Sequence, residues 1–490
     1  MNASGPDVLA ILPELLLTGG ALVLALSEVF LRGERRGYQP VVAAVVSALA
    51  FASFAANASE PARALFGGFA AQDGLAIFGG ATVCVGLFLT VLVGAGFLRV
   101  RAAERGEFYA LLLLSAAGMC LLLRATDLLL VFVAIELMSV PTYALATYLR
   151  TGQRPAEAAF KYFLLGAFSS ALFLYGAALC YGATGQTSLR GIAAAGGGPL
   201  LVAGLAFLLA GLGFKVAAVP FHMWTPDVYE GSPTPVTTFM SVGVKTAAFV
   251  AMLRILVTAF GGTGLAGTVA WGPVVQALAV LTMAIGNLFA LTQRSVKRML
   301  AYSSVAHAGY LLVAVAAAAN GAVRAEATQG LLFYLAAYTL TAAGAFGAVA
   351  MLERRSGASA QPWDLDQFAG LARRRPWAAA ATAMLLLSLA GIPPSAGFVG
   401  KLLVLRAAVD AGLVPLAVVA VLTSVVGLYY YLRVVVYLYM QPPAEAQEIP
   451  VHSWATDAAL LATAVAVLAV GIGPGLLSDA ATAGAKLFGG

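Results

Sequence analysis

Charge is scarce in this chain: 10% of its 490 residues are Asp, Glu, Lys or Arg, against about 25% in an average soluble domain. No polar stretch is long enough to fold alone. The longest connector, Glu353 to Pro376, is too short for a core of its own, which excludes a separate soluble domain. Cysteine is nearly absent. Cys84, Cys120 and Cys180 stand singly in apolar runs, without disulfide or metal-ligand spacing, and are expected to be packing residues. No strand precedes the glycines Gly261, Gly262, Gly264 and Gly267, so they do not read as a nucleotide loop. No basic residue precedes the first apolar run, which Pro13 and Glu14 interrupt. It is therefore expected to be a retained helix rather than a cleaved leader. The chain itself is expected to bind no cofactor, metal or nucleic acid.

What is abundant is apolar length. Hydrophobic residues make up 61% of the chain, and runs of about 20 recur along it, the length a helix needs to cross a bilayer. They predict an all-α polytopic membrane protein of about 14 spans. The spans fall near residues 8–31, 39–57, 74–98, 107–123, 125–148, 158–182, 200–221, 236–260, 268–291, 298–319, 328–352, 378–408, 412–439 and 456–477. The net charge of +6 reports sidedness here rather than a nucleic-acid partner. With both termini on one side, alternate connectors carry Arg32, Arg35, Arg36, Arg99, Arg101, Arg105, Arg150, Arg154, Lys161, Arg294, Lys297, Arg298, Arg354, Arg355, Arg373, Arg374 and Arg375. The other side carries Arg63, Arg124, Arg190, Arg254, Arg324 and Lys486. The excess places the first group in the cytoplasm and both termini outside.

Of the 28 basic residues, Lys215, Lys245, Lys401, Arg406 and Arg433 remain, within apolar runs where anchoring does not explain them. Two proline-bearing interruptions lie close to the lysines: Pro220 through Pro235, and Gly391-Ile392-Pro393-Pro394-Ser395-Ala396-Gly397. Broken helices free backbone carbonyls and admit water, which is where ions pass. A faint echo links the halves. Ala156-Glu157-Ala158 opens the sixth span and Ala325-Glu326-Ala327 the eleventh, each leading through an aromatic-rich helix to a broken one. An odd separation of five spans would make the two units inverted repeats.

Glu136, Lys215, Lys245, His307 and Lys401 form a series of ionisable residues at membrane depth. Each isolated charge costs about 2.5 to 3.5 kcal/mol at a helix centre, so they are expected to share one hydrated polar core. Burial favours a neutral lysine and a nearby carboxylate favours a charged one, so a lysine near Glu136 is suited to carry a proton. His222, His307, Tyr302, Ser303, Ser304 and Thr246 are candidates to bridge the gaps. The plain alternative for the charged residues is a structural ion pair, and for His307 a satisfied core histidine. Lys161 lies one turn inside a helix start and can snorkel, Asp227 and Glu230 read as caps or loop acceptors, and Glu14 and Glu28 as interfacial. Arg254, Arg406 and Arg433 have no assigned role.

The segments VPFHMWTPDVYEGSPTPVTTF (219–239), SVKRMLAYSSVAHAGYLL (295–312) and AGIPPSAGFVGKLLVL (390–405) resemble the antiporter-like subunits of bacterial NADH:quinone oxidoreductase, respiratory complex I. The run Pro226-Asp227-Val228-Tyr229-Glu230-Gly231, and Lys245 where L- and M-type relatives usually have histidine, point to the subunit N family, the counterpart of mitochondrial subunit 2. The resemblance covers most of the chain and is loose over the first hundred residues. It implies fourteen helices: three N-terminal ones in 1–106, inverted five-helix repeats in 107–260 and 261–440, each with a broken helix, and a last helix in 441–490. It implies proton translocation driven by electron transfer from NADH to quinone in other subunits, which would carry NADH, FMN, iron–sulfur clusters and quinone. Partners would be membrane-arm subunits of the M, K, J, L, A and H types, in the lipid bilayer of a bacterial inner membrane. Glu136 and Lys215 would be the coupled pair, Lys245 the central relay, Lys401 the lysine of the second broken helix, and His307 part of the axis, with Lys161 and His222 weaker candidates. Val244 departs from the proline often found before this lysine and is expected to alter the local helix. An Mrp-type cation/proton antiporter or a nonpumping scaffold subunit are the other readings.

Overall fold

The computed structural model describes residues 5–30, 36–149, 153–195, 197–261, 270–353, 363–443 and 453–486. Arg32, Arg35, Arg150, Arg354, Arg355, Gly262, Gly264 and Gly267 lie outside the described residues.

Apolar backbone in a bilayer must satisfy its own N–H and C=O groups, so each apolar run closes into a helix. In chain order these are α1 (Leu12–Phe30), α2 (Gln39–Ala56), α3 (Gly74–Val100), α4 (Gly106–Arg124), α5 (Leu128–Ala146), α6 (Gln153–Thr184), α7 (Pro199–Val216) and α8 (Thr234–Phe260). They continue as α9 (Gly272–Leu291), α10 (Val296–Ala317), α11 (Arg324–Leu352), α12 (Pro376–Ala390), α13 (Ala396–Asp410), α14 (Val414–Met440) and α15 (Trp454–Ile472). Thirteen helices among the described residues are long and apolar enough to cross a membrane. The remaining predicted span, 378–408, is divided between α12 and α13. Side-chain caps start several helices: Asp73 accepts from Ala76 N at α3, Asp127 from Leu129 N at α5, Ser295 from Arg298 N at α10 and Ser395 from Phe398 N at α13.

Nearly all residues in the apolar stretches of α8, α10 and α11 are buried, whereas in α1, α2 and α14 about a third are. Lys245, Ser304 and His307 on α8 and α10 therefore face protein, not lipid. Two buried ion pairs tie the N-terminal helices to the bundle. Arg124 Nε lies 2.5 Å from Glu14 Oε1, and Arg254 donates to both oxygens of Asp73 at 2.7 Å and to the Leu123 carbonyl at 2.9 Å. Glu14 is thus a core ion-pair partner rather than an interfacial residue, and Arg254 is structural. Arg433 closes the end of α9 by donating to the Leu291 and Gln293 carbonyls, while Arg406 makes a loose surface pair with Asp410.

Both expected breaks are present. α7 ends with Ala217 in the left-handed region, φ 60°, and the chain runs through Pro220 and a short helix, Trp224–Gly231, before α8. α12 ends with Gly391 at φ 83°, where a Cβ would also lie 2.8 Å from Lys401 Cδ, so glycine is required twice over. α8 contains a π-helical turn, Met240–Val244, immediately before Lys245. Such bulges cluster at functional sites, and this one contains the atypical Val244. A small hairpin, β1 (Arg63–Leu65) with β2 (Ala70–Gln72), and a short helix, Gly475–Gly484, were not foreseen.

Candidate functional site: a buried polar axis

Lys215, in the last turn of α7, is 3% exposed. Its Nζ donates to Ser139 Oγ at 2.8 Å and Tyr143 OH at 3.3 Å. Glu136, Ser139 and Tyr143 are spaced i, i+3, i+7 on α5 and so share one helix face. Glu136 and Lys215 make no direct ion pair; the lysine is held instead by the two hydroxyls that share the Glu136 face of α5. Glu136 is partly buried, and its Oε1 has no hydrogen-bond partner. It borders the outward face of α5, where Val133, Leu137 and Val140 are exposed.

Lys245, 2% exposed on α8, donates to both the hydroxyl and the carbonyl of Ser304 on α10, the former at 2.6 Å, and lies 5.1 Å from the Tyr338 ring centre. One turn further along α10, His307 is held on both ring nitrogens. Nδ1 is 2.7 Å from Tyr334 OH of α11, and Nε2 is 3.1 Å from Tyr431 OH of α14, which also meets Ser303 Oγ at 2.5 Å. A neutral imidazole donates from one nitrogen and accepts at the other, so hydroxyls on both sides suit it to pass a proton across the ring.

Lys401 completes the series from the first turns of α13. Its ammonium donates to the Leu389 and Ala390 carbonyls at 3.1 and 3.0 Å and to Ser424 Oγ at 2.8 Å. The carbonyls freed where α12 stops thus take a cation, as a helix C-terminus favours. Lys401 is only partly buried and lines a cavity of about 300 Å³ with Tyr310, Ile392, Leu402, Ser424 and Val425.

Lys161 belongs elsewhere. It pairs with Glu157 at 2.6 Å and Asp227 at 2.8 Å, and Arg298 joins Asp227 and Glu230 at 2.9 Å each, making a charged cluster below the first break. Asp227 and Glu230 are ion-pair partners more than caps. Burial pushes the Asp227 carboxyl up, but the hydrogen bonds from Lys161 and Arg298 outweigh it and hold it below the usual range. Lys297, read as a surface anchor, is buried: it donates to the Ser232 carbonyl at 2.6 Å and lies 3.9 Å from Glu353, which also meets Arg101 and Thr234. His222 stays in the break with Nδ1 unpartnered. Tyr302 stacks on Phe289, and Thr246 bonds back to the Val242 carbonyl, so neither joins the axis. Sequence reasoning missed Ser139, Tyr143, Tyr334, Tyr431 and Ser424. Only the first two carried a signal, their spacing from Glu136. Among the described residues no three His, Cys, Asp or Glu side chains are grouped to share a metal ion.

Comparison with known proteins agrees with this architecture. The family described as "NADH:quinone oxidoreductase/Mrp antiporter, TM" matches residues 125–427. NADH-quinone oxidoreductase subunit N of Myxococcus xanthus is 50% identical across 100% of this chain and 99% of its own length. Subunit N 1 of Solibacter usitatus is 42% identical over 97% of this chain and 96% of its own. A chain of respiratory complex I from Thermus thermophilus, solved with bound aureothin, superposes with a TM-score of 0.81 at 40% identity, covering 96% of this chain and 99% of that one. A chain of the Mrp complex from Dietzia sp. shares the fold, with a TM-score of 0.82 over 98% and 96% of the two chains, at 25% identity. The identity falls from the first set to the last, and the chain belongs to the subunit N family of NADH-quinone oxidoreductases, within the wider group of antiporter-like membrane subunits.

Proposed function

We propose that this chain moves protons across the membrane along the axis Glu136, Lys215, Lys245, His307 and Lys401, driven by electron transfer from NADH to quinone in partner subunits. The observation that carries this reading is a division among the buried bases. Arg124 and Arg254 sit against carboxylates, whereas Lys215, Lys245 and Lys401 are held by hydroxyls and carbonyls. An arginine beside a carboxylate stays charged, and the pair is structural. A lysine held by neutral groups can release its proton without stranding a buried anion, so it can be charged and discharged repeatedly.

In this mechanism a charge displacement near Glu136 changes the occupancy of Lys215 through the Ser139 and Tyr143 hydroxyls, and protons redistribute toward Lys245 and His307. Lys401, at its cavity, links the axis to an exit or to the neighbouring subunit. Membrane-arm subunits of the M, K, J, L, A and H types are the expected neighbours, and NADH, FMN, iron–sulfur clusters and quinone are expected in partner subunits of the complex. The chain would lie in a bacterial inner membrane with both termini outside, and 107–260 and 261–440 would be inverted repeats. The test is Lys245→Ala in the assembled complex. Proton yield per electron should fall while assembly and NADH oxidation persist, and an unchanged yield with normal assembly would sink the proposed relay.

A further inference from the structure

We propose that Asn287 is a positioning residue that keeps protons from passing directly between the His307 and Lys401 sides of the axis, by fixing the directions of the Tyr430 and Tyr310 hydroxyls. The proposal rests on the reading of the axis as a proton path.

Asn287, on α9, is 2% exposed and makes three hydrogen bonds. Nδ2 donates to the Met283 carbonyl at 2.8 Å and to Tyr310 OH at 3.1 Å, and Oδ1 accepts from Tyr430 OH at 3.1 Å. The orientation of the amide is not free. A carbonyl only accepts, so the atom facing Met283 O must be the NH₂ group. Its second hydrogen then points at Tyr310, whose oxygen accepts, and Oδ1 is left to face Tyr430, whose hydroxyl must donate. One amide thereby sets the direction of two hydroxyls. Gly427 on α14 leaves the room for this, because a Cβ there would lie 2.9 Å from Oδ1.

The Asn287 amide stands between the hydroxyls of the two tyrosines. Tyr430 packs against Tyr431, ring centres 4.4 Å apart and planes tilted by 54°, and Tyr431 is the residue that bonds His307 and Ser303. Tyr310 sits under the Lys401 ammonium, 4.9 Å from Nζ to ring centre. With a titratable group at 287, hydroxyls would connect the two sides through Tyr430, residue 287 and Tyr310. A relay group must take a proton on one side and give up another on the other, as a carboxyl, imidazole or hydroxyl does. A primary amide has no ionisation near the range where its neighbours titrate. Asn287 therefore satisfies both hydroxyls and conducts between neither. Protons bound for Lys401 must leave His307 by another route, one that a charge change can open and close.

The experiment uses the assembled complex in sealed vesicles, with NADH as donor, reading proton yield per electron and passive proton conductance after an imposed pH step. Asn287→Asp keeps the shape and supplies a carboxyl. It should raise passive conductance several-fold and lower the yield, while Asn287→Leu should not leak. Adding Tyr430→Phe to Asn287→Asp should restore a tight membrane, which a packing defect would not do. Tyr430→Phe alone should leave the yield intact. The proposal is overturned if the Asp variant stays tight, if the Leu variant leaks equally, or if Tyr430→Phe alone abolishes pumping in a fully assembled complex. Lys245→Ala in the same vesicles separates the two levels. An unaltered yield there fails the axis itself and the insulator with it, whereas a reduced yield beside a tight Asp variant fails only the role of Asn287.

Discussion

At the end of α7 the Phe214 carbonyl accepts from the Trp224 indole at 3.0 Å; at the end of α12 the Leu389 and Ala390 carbonyls accept from the Lys401 ammonium. The first break is closed by a neutral ring and releases its lysine, Lys215, to hydroxyls on α5. The second is closed by the lysine itself, beside a cavity of about 300 Å³. Proline-bearing interruptions of one kind thus give a fully buried relay in one half of the chain and a partly buried station beside a cavity in the other. A helix break does not dictate what its carbonyls do. The residue that reaches them decides.

The difference predicts unequal consequences for matched substitutions. Lys215→Ala, which leaves no alternative proton carrier between Ser139 and Tyr143, should slow proton translocation by roughly a hundredfold, the scale on which a positioned proton-transfer group acts. Lys401→Met should cost less, a several-fold loss, because Ser424 Oγ and the freed α12 carbonyls remain beside the adjoining cavity. Equal losses measured in vesicles would erase the distinction between the two breaks. Lys401→Arg sharpens it further. Guanidinium can still cap the α12 carbonyls but does not give up its proton, so stability should be retained and pumping lost.

Smaller effects concern stability alone. Trp224→Phe removes the donor to the Phe214 carbonyl and should lower stability by about 1 kcal/mol, seen as a reduced midpoint in thermal unfolding of the detergent-solubilised complex. Asp227→Asn loosens the cluster with Lys161 and Arg298, and because these groups are about one-third exposed the loss should stay below about 1 kcal/mol after screening. The Asp227 carboxyl is held below its ordinary range in the folded protein. Its contribution is therefore present above the unfolded carboxylate pKa and disappears as pH falls through the lower, folded one. The difference between wild type and Asp227→Asn should be constant near neutrality and close on acidification through the carboxylate range.

The spans were legible because a bilayer demands about 20 apolar residues per helix, and few other structures tolerate such a run. The second break was legible for the same reason in reverse, since Gly391, Pro393 and Pro394 cannot continue a helix that must satisfy its own backbone. Lysines 215, 245 and 401 were visible as charges where charge is expensive. Their partners were not. Ser139 and Ser424 are unremarkable in an apolar run, and nothing local brings Tyr431 to His307 across 124 residues. Lys297 misled for a related reason: its position at the start of α10 suggested a surface anchor, and only the fold shows Glu353, Ser232 and Trp363 closing over it. Glu14 and Arg124 likewise each lie near the end of a helix, and only the packing of α1 on α4 turns them into a buried pair.

The π turn Met240–Val244 carries one residue more than an α turn would. Closing it to α geometry would rotate everything beyond by about 100° and shift it by about 1.5 Å along the axis. Lys245 is the first residue past the turn and would take that rotation in full, while Ser304 stays on a different helix. Which group receives this ammonium is thus written into the winding number of the helix that bears it.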